Sequence, residues 1–145
     1  MKIDYYQGSL PEVLSVNASI PELERNTSEQ TLSARLAGNK VLILIASHNQ
    51  QPIAYKIGYQ LNEHEFYSWL GGVTPAYRNQ GIASALIEQQ EAWVLAQGYQ
   101  RISVKSMNRY PAMLRLLIAS GYQVVGYQNN GEPHTSKICF SKSLQ

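Results

Sequence analysis

The chain has 145 residues, a formal net charge of +2 and a hydrophobic share of 44%. That length suits one domain, 1–145, with a core that needs no disulfide staples, and the hydrophobic share excludes a disordered chain. The small charge, with no run of Lys and Arg, gives nucleic acid no footing, and the single cysteine, Cys139, excludes an internal disulfide or a cysteine-rich metal site.

In chain order, Met1–Tyr6 alternates apolar and polar residues and reads as a first strand, broken at Gly8–Pro11. Pro11–Ala18 reads as a short helix with Pro near its start. Ser19–Thr27, which contains Ile-Pro-Glu-Leu, is a loop. Thr27–Ala37 is a helix with Ser28 as N-cap and Gly38 as its stop. Its register, Leu32 and Leu36, leaves one narrow apolar face. Two short helices at this place are either a substrate lid or plain packing helices.

Val41–Ser47 is a continuous apolar run and is expected to be a strand covered on both faces. His48–Pro52 is a turn. Ile53–Leu61 and Glu65–Val73 are further strands, joined by Asn62–His64, and the three form an antiparallel meander. Gly71–Gly72 inside the last of them predicts a bulge or a close approach by another backbone. Gly81–Gln97 is the longest helix, with Ile82, Leu86 and Trp93 on its apolar side and Gly98 ending it.

Arg101–Met107 is a strand with Ile102 and Val104 facing one way and Ser103 and Lys105 the other. Asn108–Tyr110 is a loop. Pro111 begins a helix to about Ser120, stopped by Gly121. Tyr122–Tyr127 and Lys137–Ser143 are the last strands, with Asn129–His134 a polar turn between them. Cys139 lies in an apolar alternation and reads as a buried structural thiol. The fold class is α+β with a mixed sheet.

His48, His64 and His134 are scattered, so no metal is expected. The first residues contain no long apolar run, and the longest such run, Val41–Ala46, is too short to span a bilayer. A cytoplasmic protein without a membrane partner is the default expectation.

The stretch Val73–Ile87 organises the rest. It runs from a strand end, through a loop opened by Arg78, into a helix. Gly81 lacks a Cβ and Ala83 is nearly as small, so a ligand can approach the backbone there. The first N–H groups of a helix are unpaired, and with the positive end of the helix dipole they suit a phosphate or diphosphate. Arg-x-x-Gly-x-Ala is weak alone; the strand before and the helix after sharpen it. No Gly-Lys-Ser/Thr follows, which excludes a P-loop, and no glycine stands two residues before Gly81, which excludes a dinucleotide fingerprint.

The order of elements resembles the GNAT superfamily of N-acetyltransferases across essentially the whole chain. The resemblance is carried by Leu70-Gly71-Gly72-Val73-Thr74-Pro75-Ala76-Tyr77-Arg78-Asn79-Gln80-Gly81-Ile82-Ala83, then Gly98-Tyr99, Asn108, and Leu116 to Gly121-Tyr122. It implies a mostly antiparallel sheet with helices on both faces. It implies acetyl-CoA as cofactor, its diphosphate held by the N–H groups of Gln80, Gly81, Ile82 and Ala83, with Arg78 and Asn79 beginning the loop. The backbone at Gly72 and Val73 would pair with the pantetheine arm in a V-shaped cleft opened by a bulge at Gly71–Gly72. Asn108 would contact the arm, order the loop, or play a purely local role. A homodimer built on the last strands is also implied.

Acetyl transfer needs a proton acceptor for the amine, a donor for the developing oxyanion and a way to stabilise the leaving thiolate. The N–H near Val73 is a candidate oxyanion donor. Many members place a tyrosine near the end of the last helix to protonate the thiolate; Leu117 stands in that slot here. Tyr110 is a candidate substitute or a packed tyrosine. Some members put a glutamate in the strand before the loop, in the slot of Tyr67. Glu65, Tyr67 and Trp69 have period two and share one face. Glu65 is therefore the candidate base, acting through water with Tyr67 lining the channel, or a solvated strand-end glutamate beside packing aromatics. Glu22 is a candidate for recognising a cationic amine. The expected activity is acetyl transfer to a primary amine of a small molecule or peptide, with a partly apolar acceptor; a non-catalytic acyl-CoA-binding module is the alternative.

Overall fold

The computed structural model describes residues 2–21 and 27–144. Its elements run β1 (Asp4–Gln7), α1 (Leu10–Asn17), α2 (Glu29–Leu36), β2 (Val41–His48), β3 (Gln51–Asn62), β4 (Glu65–Val73), a 3₁₀ turn at Pro75–Tyr77, α3 (Ile82–Ala96), β5 (Arg101–Met107), α4 (Pro111–Ala119), β6 (Gln123–Gln128) and β7 (Lys137–Ser143). Local chemistry sets several boundaries. Ser9 caps α1 ahead of Pro11, and the Glu12 carboxylate accepts from the Ser9 N–H at 2.9 Å. Ser28 Oγ accepts from the Thr31 N–H at 3.1 Å and starts α2. Gly98 and Gly121, with φ of 94° and 93°, turn the chain out of α3 and α4 through the left-handed region.

Seven strands form one mixed sheet in the order β1-β2-β3-β4-β5-β7-β6. Every pairing is antiparallel except β4 with β5. The β2–β3 hairpin is tighter than expected. Asn49 and Gln50 alone form the turn, with φ of 51° and 66°, the form whose twist matches the flanking strands.

One face of the sheet packs under α3 and α4. Leu42, Leu44 and Ala46 of β2, Phe66 of β4, Ile102 and Val104 of β5 and Phe140 of β7 meet Ile82, Leu86, Ile87, Val94 and Leu117 there. The other face packs under α1 and α2, where Ile45, Tyr55, Ile57 and Tyr59 meet Val13, Val16, Leu32 and Leu36. β2 therefore feeds both cores, which explains its unbroken apolar run. Phe66 is fully buried between the layers, worth about 1.5–3 kcal/mol in apolar transfer. Cys139 is half-buried on β7, a correction to its expected burial: β7 lies beyond the strands that α1 and α2 cover. Among the described residues no helix is long and apolar enough to cross a membrane.

Candidate active site

The parallel ladder between β4 and β5 is short. It joins Glu65 to Arg101, Phe66 to Ile102, Tyr67 to Ser103 and Ser68 to Val104, and then stops. β5 continues to Met107 paired only with β7, while β4 continues to Val73 paired only with β3. From Trp69 onward, β4 thus offers its β5-side N–H and C=O groups to whatever lies in the gap.

The cause of the parting corrects one expectation. Gly71 and Gly72 sit in regular register opposite Lys56 and Tyr55; the irregularity is one step earlier, where Ile57 pairs Leu70 and Gly58 pairs Ser68, so Trp69 has no partner. Trp69 is the bulged residue. The extra residue turns the strand, so Trp69 and Leu70 both pack on the α1–α2 side and Val73 on the α3 side. A large aromatic can occupy the bulge because it finds a partner: the Arg35 guanidinium stacks over its ring at 5.0 Å.

The loop beyond β4 is firmly moored. The Thr74 N–H donates to Ile53 O at 2.8 Å, and Thr74 Oγ1 lies 3.0 Å from Ser19 Oγ. Tyr77 Oη lies 2.8 Å from His48 Nδ1, tying the 3₁₀ turn to the β2–β3 hairpin. These contacts wall a hollow of about 400 Å³ that Ser15 also lines. Arg78 Nε donates to Val73 O at 3.1 Å, folding the loop back on the strand.

Asn79 and Gly81 then adopt left-handed φ values of 61° and 79° on either side of Gln80. Asparagine tolerates that region better than other residues with a Cβ. Such a winding turns successive N–H groups to the same side and makes a concavity for an anion. The first hydrogen bond of α3 runs from the Ala85 N–H to Gly81 O at 3.0 Å; among the described residues, no backbone carbonyl takes the N–H groups of Asn79 to Ser84. A Cβ on Gly81 would meet no atom within 4 Å, so the space beside it is open. Arg78, Asn79, Gln80, Gly81, Ile82 and Ala83 are thus brought together at one helix mouth, next to the freed backbone of Gly72 and Val73. Donors without acceptors beside a strand edge without a neighbour fit a diphosphate that carries an extended, amide-containing arm.

The other predicted residues fall on either side of the gap. Asn108 closes β5, and its Nδ2 donates to Pro133 O at 3.0 Å, which ties the β5–α4 loop to the β6–β7 loop. Tyr67 stands one rung before the fork, on the α1–α2 side. Its ring meets Tyr59 edge-on at 5.5 Å, and burial, with Tyr59 nearby, raises its phenol above the ordinary value against the pull of Arg35. It is therefore a proton-bearing phenol at neutral pH. Glu65 lies two residues deeper, about 7 Å further from the fork. Its Oε1 is 3.5 Å from Arg101 at the closed end of the ladder, so it is not brought beside the loop. Glu22 lies outside the described residues. Leu117 is buried in the core under α4, so that slot presents no hydroxyl.

Two features escaped the sequence reading. Ser103, opposite Tyr67, has a buried Oγ with no hydrogen-bond partner among the described residues. The aromatic group Tyr59, Tyr67 and Trp69, capped by Arg35, forms a wall beside the fork. Strand periodicity hinted at part of that wall through Tyr67 and Trp69; Arg35, from a helix far away in sequence, gave no such signal.

A donor-lined helix mouth continuous with a parted pair of strands suits proteins that grip a nucleotide-tailed thioester. The chain belongs to the GNAT acetyltransferases: the profile of the Acetyltransferase (GNAT) family matches residues 10–122. That family takes acetyl groups from acetyl-CoA. No curated protein sequence matches the chain. Among solved structures, the ribosomal-protein-S18-alanine N-acetyltransferase from Escherichia coli is similar with a TM-score of 0.85 at 18% identity, over 99% of this chain and 94% of that one. Ard1 from Thermoplasma volcanium gives 0.84 at 12% identity, over 97% of each chain. A GNAT family acetyltransferase from Elizabethkingia anophelis with acetyl-CoA bound gives 0.77 at 15% identity, again over 97% of each. These identities speak for the fold alone, which is the mixed, mostly antiparallel GNAT sheet with helices on both faces.

Proposed function

We propose that the protein is an N-acetyltransferase that moves the acetyl group of acetyl-CoA to a primary amine of a small molecule or peptide, by direct attack while both are bound. The observation that carries this reading is the continuity of two features, the donor-lined mouth of α3 and the unpaired edge of β4. On this reading Gln80, Gly81, Ile82 and Ala83 hold the diphosphate with Arg78 and Asn79 shaping the loop. Gly72 and Val73 bond the pantetheine amides, and Asn108 orders the loop on the far wall.

An N–H of this same edge, near Val73, faces the thioester oxygen and stabilises the charge that develops there. The amine enters from the α1–α2 side and loses its proton through a chain of waters that runs along Tyr67 to Glu65. Tyr59, Tyr67 and Trp69 favour an acceptor with apolar parts, and Glu22 is the candidate for recognising a cationic one. Peptide amines belong in the screen because the Escherichia coli structure is of a ribosomal-protein-S18-alanine N-acetyltransferase. The reading places the protein in the cytoplasm.

The buried Leu117 keeps a second reading in view, a non-catalytic acyl-CoA-binding or sensing module. One experiment separates them. Thiol release from acetyl-CoA is followed over amines, amino acids and peptides, alongside calorimetry with CoA. Amine-dependent release supports the transferase; binding without release over the whole panel supports the sensor; no binding at all ends both.

A further inference from the structure

A lysine inside a strand ordinarily reaches water. Lys56, in the middle of β3, is only 7% exposed. By the alternation of β3 it faces α3, with Ala54 and opposite to Tyr55 and Ile57. Its register partner is Gly71. Lys56 Nζ lies 3.6 Å, and its Cγ 3.8 Å, from where a Cβ on Gly71 would stand. The side chain thus lies across the glycine, in the room a larger residue would fill. Gly71 belongs to the length of β4 that has parted from β5, so the ammonium lies beside a strand that forms one wall of the gap.

Among the described residues, no hydrogen bond or ion pair takes up that charge. Burial lowers Lys56 to about 8, and the only opposing influence is the charge of Glu91 on α3. Glu91 is only half engaged elsewhere: its Oε1 takes a hydrogen bond from Lys142 Nζ of β7 at 2.9 Å, Lys142 also donates to Ser120 O at 2.8 Å, and Glu91 Oε2 is buried with no hydrogen-bond partner among the described residues. The Tyr122 phenol lies beside that pair, its pKa raised by burial and by Glu91. A buried charge lacking a hydrogen-bonded partner costs several kcal/mol, so its place calls for a ligand to receive it.

The length of the arm sets where a ligand would receive it. Thirteen bonds separate the inner phosphorus of CoA from its sulfur, about 15 Å of extended chain at roughly 3.5 Å per three bonds. Counted back along β4 from Val73, the freed edge to Trp69 is about 13 Å long. An arm seated at the mouth of α3 therefore has the reach to bring its sulfur onto this edge, to which Gly71 belongs.

We propose that Lys56 is the acid that protonates the departing sulfur, a role that Leu117 cannot fill. The proposal rests on the acetyltransferase reading. The amine nitrogen bonds to the acetyl carbon, the carbon–sulfur bond breaks with its electron pair on sulfur, and Lys56 Nζ gives that sulfur a proton, leaving a free thiol and a neutral lysine. The amine's own surplus proton leaves through water, and Lys56 is reprotonated from solvent before the next turnover. An acid matched to a thiol of ordinary pKa about 8.5 moves its proton with little driving-force penalty.

The test uses Lys56→Met and Lys56→Arg with calorimetry of CoA and desulfo-CoA at pH 8.5, alongside turnover. The wild-type protein is expected to bind CoA about tenfold tighter than desulfo-CoA, with Lys56→Met binding the two equally. Lys56→Met should lower kcat on the order of 100-fold with KM for acetyl-CoA within threefold. Lys56→Arg keeps the charge without an available proton, so it should keep the preference for CoA and still lose turnover. Full turnover in either variant, an unchanged CoA preference in Lys56→Met, or acetylation of Lys56 seen by mass spectrometry would overturn the proposal. A wild-type protein that releases no thiol with any amine sinks the transferase reading instead, and the two calorimetric affinities still report whether Lys56 faces the sulfur.

Discussion

Gly81→Leu separates the diphosphate seat from the fold. Gly81 has φ +79°, a region that costs a residue with a Cβ roughly 1–2 kcal/mol. No atom lies within 4 Å of the added Cβ, so no steric clash adds to that cost. Conversion to a melting shift of about 2–4 °C per kcal/mol for a domain of this size gives a loss of about 2–8 °C. The effect on binding should be much larger. On the proposed reading, the leucine crowds the approach of the diphosphate to the N–H groups of Gln80 to Ala83. Each hydrogen bond to a charged group is worth about 1.5–3 kcal/mol, so losing two weakens CoA on the order of 100-fold or more. Calorimetry with CoA and a thermal melt on the same sample measure both quantities. CoA affinity within threefold of wild type, in a variant that melts within the expected range, would refute the assignment of this helix mouth.

Glu65→Gln should lower the acetyl-transfer rate by about 100-fold and change its pH profile; an unchanged profile removes Glu65 as the proton acceptor. Lys56 predicts a pH signature of stability that needs no substrate. Its folded pKa, about 8, lies below the ordinary 10.5, so the unfolded chain binds more protons between those values and stability rises with pH across that window. Urea unfolding should therefore show Lys56→Met more stable than wild type by on the order of 3 kcal/mol below pH 8, with the difference fading towards pH 10.5. An equal offset at pH 7 and pH 10 would contradict the burial of that charge. Gln90 is fully buried and neither of its amide atoms finds a partner among the described residues. Gln90→Met should stabilise the protein by about 1–3 kcal/mol in the same assay; a loss of that size would mean the amide has a partner, such as a bound water.

Much of this molecule could be read from order and spacing. The strands of the meander, the long helix opened by Gly81 and the stops at Gly98 and Gly121 follow from periodicity and from residues that tolerate left-handed backbone. The loop Arg78–Ala83 was legible for the same reason. The bulge was misplaced because glycine is the usual mark of irregular strand, whereas here Trp69 is held out of register by Arg35, thirty-four residues earlier. Lys56 was invisible because nothing local distinguishes a buried lysine from an exposed one. Its place depends on Gly71 across the ladder and on α3 above it, both distant in sequence. Ser103 was hidden likewise: the alternation gave its face, and only the tertiary contacts made its hydroxyl dry and partnerless.

Among the described residues, the four rungs between β4 and β5 are the only ladder linking β1–β4 to β5, β7 and β6. Mechanically, the molecule is two small half-sheets riveted at one end. A thread laid along the gap would act as a missing rung, so amides flanking it should exchange hydrogen quickly in the empty protein and slowly once the seam is sewn. In that sense the occupant of the gap would complete the sheet as well as being held by it.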